Sequence, residues 1–406
     1  MILQHNSSLY SKEYKYFWYF FLTRICMTSG FQIISLALAW QMYMLTRNPL
    51  DLGLVGLLQF LPKLFLVLIA GICVDKFDRR KILIITLSLQ AILSFILLCA
   101  SLDYIAMSKW LIFSICIGIG LCRTFDHPAL QSILPDIVPK EMLPKAIASS
   151  ASAMQIAIIA APALGGFLYV YGANVTYFLT FIMYVLGIIF AALLPKLFNH
   201  NQNNPVTFKS MLMGLHYIYN NKDVLGAISL DLFVVLLGGA TALLPIFASD
   251  ILYTSTFGLG LLRSAPAVGA LLMSFILAKY QINYKVGKTM FAAVSLFGIT
   301  TIIFGLSSSF ILSFISLIVM GAADVISVII RTSFIQLQTP SEMRGRVNSV
   351  NSLFIGASNQ LGEFESGVTA QFFGARLSVI LGGLGTLAIV GLWVKWFPSL
   401  LHRNKF

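Results

Sequence analysis

Charge is what this sequence has least of. Of 406 residues only 10% are Asp, Glu, Lys or Arg, while 58% are hydrophobic. A water-soluble domain carries roughly 25% charged residues, so this chain has too few to clothe a water-facing surface, and a soluble globular fold is excluded. Cysteine is also sparse. Cys26, Cys73, Cys99, Cys116 and Cys122 all lie inside apolar runs without ligand spacing, so they read as small packing residues rather than a metal or disulfide framework. There is no Ser-centred elbow, no His/Asp metal spacing and no phosphate-binding loop. GGLGTL near Gly382 is a glycine-rich piece of an apolar run. These absences argue against a membrane enzyme and against direct ATP drive.

What the sequence has instead is apolar runs of about 20 residues, each long enough to cross hydrocarbon as a helix. Twelve spans account for them, at 16–43, 51–74, 80–102, 109–134, 142–170, 174–194, 223–250, 255–279, 286–307, 310–336, 346–372 and 375–397. The 27 Lys and Arg test this count. Nineteen fall in one set of alternating loops and the termini, three (Arg47, Lys109, Arg376) in the opposite loops, and five (Arg24, Lys63, Arg123, Arg263, Arg331) inside spans. A wrong count would scramble that asymmetry. By the positive-inside rule both termini are expected in the cytoplasm. The net charge of +12 is thus a topology signal, and no nucleic-acid partner is implied. The N-terminus runs through Lys12 and Lys15 into a span too long for a signal h-region, so no cleavable signal is expected.

The longest hydrophilic interruption is Pro195 to Asp223, containing NHNQNNP. Beyond it Phe208, Met211, Leu212, Leu215, Ile218 and Tyr219 fall at helical spacing, which predicts a short amphipathic helix on the cytoplasmic face. The expected organisation is a six-helix bundle over 1–194, a linker with its amphipathic helix over 195–222, and a second six-helix bundle over 223–406. The halves resemble each other. Pro-x-Glu-Met recurs at Pro139 and Pro340, both copies run on to a Gly-Ala pair, and Gly56 and Pro62 match Gly260 and Pro266. Two parallel repeats predict a solute path between them near mid-membrane.

GICVDKFDRRK, Gly71 to Lys81, packs two acids and four bases into its last seven positions. Gly71, Asp75, Lys76, Arg79 and Arg80 resemble the signature between spans 2 and 3 of the major facilitator superfamily, departing from it at Asp78, which is expected to cap the next helix. AIIAAPALGG, Ala157 to Gly166, is similar to that superfamily's antiporter signature through Ala161, Pro162, Gly165 and Gly166, with alanines for the first two glycines. FDHPALQSILPDIV, LGEFESG and WFPSL resemble the bacterial branch that includes the enterobactin exporter and drug-efflux proteins. The resemblance implies twelve helices in two pseudo-symmetric bundles. It also implies proton-coupled efflux of a small molecule such as a siderophore, and a cytoplasmic gate in which Asp75 meets the start of span 11 near Arg344 and Arg346. Asp136 and Glu141 are expected partners of Arg79 or Arg80.

An ionisable residue in a span costs about 2.5–3.5 kcal/mol on insertion scales unless paired or hydrated. Glu363, Asp231, Asp126, Asp324 and Glu365 are therefore the proton-coupling candidates, with Arg24, Arg123 and Arg331 as intramembrane basic partners. Arg123 and Asp126 stand three apart on one helical face, in reach of an ion pair. For Arg331 and Asp324 a partner on span 4 or span 11 is expected, and Asp231 has none in its own helix. Lys63 and Arg263 are expected to snorkel, and His127 before Pro128 reads as a hydrogen-bonded structural residue or a titrating group. Glu363 occupies, in the second repeat, the place of Pro162 in the first, and it is the leading proton carrier. Gln32, Trp40, Gln41, Gln59, Gln155, Asn351, Asn359 and Gln360 are candidates to line the cavity or to bridge helices.

The expectation is a secondary transporter of the bacterial inner membrane that works by alternating access. It would be driven by the proton gradient with no cofactor, act on a small-molecule substrate, and function as a monomer in the bilayer. An importer or a lipid or lysolipid flippase on the same fold is the alternative, because fold does not fix direction.

Overall fold

The structure, a computed structural model, describes residues 2–139, 141–196, 208–280, 282 and 284–404; the side chains of residues 2–14, 68, 208–211, 341 and 342 lie outside the description. The linker stretch NHNQNNP also lies outside it. Among the described residues the ordered elements are all helical. They run α1 (Ile2–Thr46), α2 (Pro49–Lys76), α3 (Arg79–Ser101), α4 (Lys109–Ile137), α5 (Leu143–Tyr169), α6 (Ala173–Ala192), α7 (Phe208–Asn220) and α8 (Lys222–Leu237). They continue as α9 (Leu244–Ile246), α10 (Thr256–Lys279), α11 (Val286–Leu306), α12 (Phe310–Gln338), α13 (Ser341–Phe373), α14 (Ala375–Trp396) and α15 (Pro398–Leu401).

Eleven stretches are long and apolar enough to cross a membrane. The twelfth expected span is α13, whose 33 residues are ample at 1.5 Å per residue. Glu342, Arg344, Arg346, Glu363 and Glu365 make it less apolar than the rest. Short caps set several boundaries. Asp78 accepts a hydrogen bond from the Arg80 amide at 3.0 Å, Ser108 from Leu111 and Asn221 from Val224. The two Gly-Ala pairs of the repeats are the tight turns before α6 and α14, where Gly172 and Gly374 take φ of 130° and 81°, conformations costly for any side chain.

The chain forms two compact units, Met1–Gln41 with Leu58–Pro205, and Met42–Leu57 with Val206–Phe406. In the first, Tyr184 of α6 is fully buried among Phe20, Leu83, Leu87, Ile133 and Leu134. Lipid is as apolar as these side chains, so close packing rather than the hydrophobic effect holds the helices together. Glycines supply the closeness: Gly120 of α4 sits on the Gln59 backbone of α2, and Gly165 of α5 on Ile33 of α1. Gly165 belongs to the antiporter-like motif, whose small residues Ala161, Pro162, Gly165 and Gly166 are all buried.

In the second unit α10 and α12 cross where Gly269 meets Ile318 and Gly321 meets Pro266, and α11 and α14 cross at Gly298 and Gly383. Met42–Leu57 packs here because Gly53 lies against the Phe364 and Gly367 backbone and Arg47 pairs with Asp250. The amphipathic helix predicted after the linker is α7. Tyr217 donates from its hydroxyl to Gln338 O at 2.9 Å, and Gly214 rests on Arg346 of α13.

One span departs from expectation. The run 223–250 reads as one continuous helix but is broken after Leu237. Gly238 and Gly239 lead into a 3₁₀ turn, Ala240–Leu243, then α9 and a π turn, Phe247–Ile251. Two adjacent glycines weaken the helix, and Pro245 fits only as the opening of a new one.

Candidate functional site

Glu363 sits beside that break. Gly362 brings α13 against α8: a Cβ there would lie 2.6 Å from Val235 O and 2.9 Å from Leu236 O, while Gly239 faces Gly362 O. The Glu363 carboxylate lies against Gly56 of α2, where any side chain would collide with Oε2; Gln360 Oε1 is 3.5 Å from the same point. Arg263 of α10, expected to snorkel, is instead half-buried and within electrostatic reach of Glu363. Glu363 thus stands at a glycine-lined junction of three helices with a cation near it. Glu365 is half-buried on a different face, with no side-chain partner among the described residues.

Asp231 of α8 has a partner that sequence could not supply, for it forms an ion pair with Arg331 of α12. The expected partner for Arg331 on span 4 or span 11 is corrected accordingly. Asp324, two turns earlier on α12, is half-buried and makes no side-chain hydrogen bond or ion pair among the described residues. Asp231 is thereby an ion-pair member, whereas the Glu363, Glu365 and Asp324 carboxylates have no bonded partner among the described residues.

In the first unit Arg123 and Asp126, neighbours on one face of α4, form no ion pair among the described residues. Asp126, 0% exposed, accepts from Gln90 Nε2 of α3 at 2.9 Å, and the Arg123 guanidinium lies 3.7 Å from the ring centroid of Phe31 on α1. Arg24 donates to Ser150 Oγ at 2.8 Å and to Met154 Sδ at 3.2 Å, both on α5. Arg24, Arg123, His127 and Gln32 line one cavity of about 210 Å³. Each basic residue is legible alone as an intramembrane charge. That they share a cavity follows only from helix rotation, for which no spacing in the sequence speaks.

At the α2–α3 turn Arg79 forms an ion pair with Asp136 of α4 and donates to Ser132 O at 2.7 Å. Asp75, Lys76 and Gly71 are exposed and Arg80 is half-buried. Glu141, Arg344 and Arg346 form no ion pair among the described residues; Arg344 donates to Thr339 O, and Arg346 to the sulfurs of Met213 and Met343. A cluster that sequence reading missed lies at the other end of the second unit. Asp250 accepts from Tyr43 Oη, and from Arg47 Nη1 at 3.0 Å, while the Arg47 guanidinium covers the Tyr43 ring. The i, i+4 spacing of Tyr43 and Arg47 was the available signal.

Among the cavity candidates, Gln41 accepts from Tyr177 Oη and Gln59 accepts from Ser35 Oγ at 3.5 Å, so both bridge helices. Asn359 turns back to Ile355 O of its own helix, and Asn351 is buried with Oδ1 unbonded. Trp40 and Gln155 are half-buried.

Helices of this number and length fit the major facilitator fold. A bacterial homologue of the human lysosomal transporter Spinster has the same fold, with a TM-score of 0.74 at 13% identity over 96% of this chain and 98% of its own. The nucleoside transporter NupG matches with a TM-score of 0.68 at 16% identity over 95% and 98%. The sequence is more specific: residues 7–399 match the transmembrane secretion effector family, and the chain belongs to it. Macrolide efflux protein A of Streptococcus pyogenes is 24% identical over 358 residues, 86% of this chain and 88% of that protein. The enterobactin exporter EntS of Citrobacter koseri is 25% identical over 392 residues, 95% and 92%. Family, relatives and structural neighbours are membrane transporters, and the chain is a multi-pass transporter rather than an enzyme.

Proposed function

We propose that this chain exports a small molecule, a siderophore or drug-like compound, across a bacterial inner membrane by alternating access in exchange for protons. The observation that carries the coupling is Glu363. A carboxylate inside a span persists when it is paired, hydrated or functional. This one sits where α13, the broken end of α8 and Gly56 meet, at a discontinuous helix of the kind that marks ion and substrate sites in carriers. Outward direction is supported by the secretion family and by the names of the two relatives, one an efflux protein and one an exporter. The excess of Lys and Arg on one set of loops supports cytoplasmic termini, and the chain acts as a monomer without a cofactor. Everted membrane vesicles given a panel of siderophores and dyes on the outside, with and without a pH gradient, test the reading. Gradient-dependent uptake into everted vesicles is expected. Uptake indifferent to the gradient removes proton exchange, and transport only in the opposite sense makes the chain an importer.

A further inference from the structure

Two guanidiniums line the cavity of the first unit, and no acid does. Arg24 enters from α1 and Arg123 from α4; the other polar side chains lining it are Thr28, Gln32, His127 and Gln131, and no carboxylate lines it. The hydrogen-bond partners of Arg24 are a hydroxyl and a thioether. Arg123 has an aromatic face. The nearest acid on α4, Asp126, is within electrostatic reach of Arg123 but does not line the cavity, and its carboxylate accepts from Gln90 instead. Lys63 of α2 adds a further positive charge within electrostatic reach of Arg123, and α5 contributes no acid to the lining. Cations this deep in a membrane protein are normally paired, and a basic, low-dielectric cleft concentrates anions.

We propose that this cavity receives an acidic group of the transported molecule, a carboxylate, phosphate or ionised phenol borne on an apolar or aromatic body. The inference rests on the transport reading above and names the substrate class. The guanidiniums fit such a group. The one over Phe31 makes no hydrogen bond among the described residues, which leaves its N–H groups to fork onto two oxygens, and Arg24 meets neutral partners that an anion can displace. Met27, Leu130 and Ile158 furnish the apolar remainder. At about 210 Å³ the cavity is below the roughly 300–1,000 Å³ of a drug-sized site, so it takes the acidic group and not the whole molecule. By this logic a substrate with only a basic centre is repelled.

Binding to the purified full chain in phosphatidylcholine nanodiscs, which offer no anionic lipid, tests this without any gradient. The probes are 2-naphthoate, 2-naphthyl phosphate, 2-naphthalenemethanol and 2-naphthylmethylamine. One or both acids are expected to bind at least about tenfold more tightly than the alcohol and the amine, and whichever acid is favoured separates carboxylate from phosphate recognition. Arg24→Gln and Arg123→Gln are each expected to remove about tenfold of the acid's affinity and leave the alcohol's unchanged, while Arg24→Lys keeps most of it. Acids binding no more tightly than the alcohol, absence of binding by all four included, overturns the proposal. So does acid affinity unmoved by both glutamine variants. Because no pH gradient is present, failure of proton-driven export leaves this result standing, and failure here leaves export standing.

Discussion

Arg331 of α12 and Asp231 of α8 form an ion pair buried inside the second unit, their side chains 2% and 8% exposed. Removing one member of such a pair strands the other charge and costs about 3–5 kcal/mol, whereas replacing both by apolar groups is often neutral or better. Arg331→Met and Asp231→Leu are each expected to lower the melting temperature in detergent sharply, and the double variant to recover most of the loss. The full cycle checks it, by thermal unfolding of all four proteins. Two equal and additive losses would show that the two charges do not depend on each other.

On the proposal of proton exchange, Glu363 is the group on which coupling would turn. Glu363→Gln keeps size and hydrogen-bonding capacity and removes the titrating proton, so the fold is expected to survive, while pH-driven transport in proteoliposomes falls by about tenfold or more. Substrate counterflow at equal pH on both sides, which needs no net proton movement, is expected to persist. Full pH-driven transport in this variant would move the proton to another acid, with Asp324 and Glu365 the other span carboxylates lacking a bonded partner among the described residues.

The parts of this architecture legible in the sequence are those set by local chemistry. Spans show because about 20 apolar residues suffice to cross hydrocarbon, and the helix α7 and the cap at Asp78 show because their signals lie within a turn or two. The break after Leu237 was written as Gly238, Gly239 and Pro245, yet it was overlooked because the run stays apolar throughout. Asp231 and Arg331 stand a hundred residues apart, and no periodicity announces their meeting. Arg123 and Asp126 show the converse: spacing placed them together, but the Phe31 ring and Gln90 took one each.

Glycine substitutions separate packing from gating. A Cβ at Gly269 would collide with Ile318 O and lie 3.0 Å from Ala322 N, whereas at Gly71 nothing stands within 4 Å. Gly269→Ala is expected to destabilise by about 1–3 kcal/mol, the usual cost of overpacking. Gly71→Ala is expected to stay within about 0.5 kcal/mol of the parent. Melting temperatures of the two purified variants check the contrast, and equal losses would mean that the α10–α12 crossing adjusts more freely than its backbone contacts allow.

The turn after α2 combines a fixed element with a free one. Arg79 is tied to Asp136 and to Ser132 O of α4, while Asp75, one helical turn before it, is exposed. Asp136 is itself partly solvated, so Asp136→Asn is expected to cost at most about 1 kcal/mol. Arg79→Ala costs more, since it also strips the Ser132 carbonyl of its donor. Asp75→Asn removes no bond present here, and its stability and membrane insertion are expected to match the parent. If Asp75 serves the gate that its place in the motif implies, transport by Asp75→Asn falls while expression and melting temperature hold. Transport rate measured beside thermal stability for the three variants makes the distinction. Normal turnover in Asp75→Asn would reduce the acid to a bystander among the four bases of this turn.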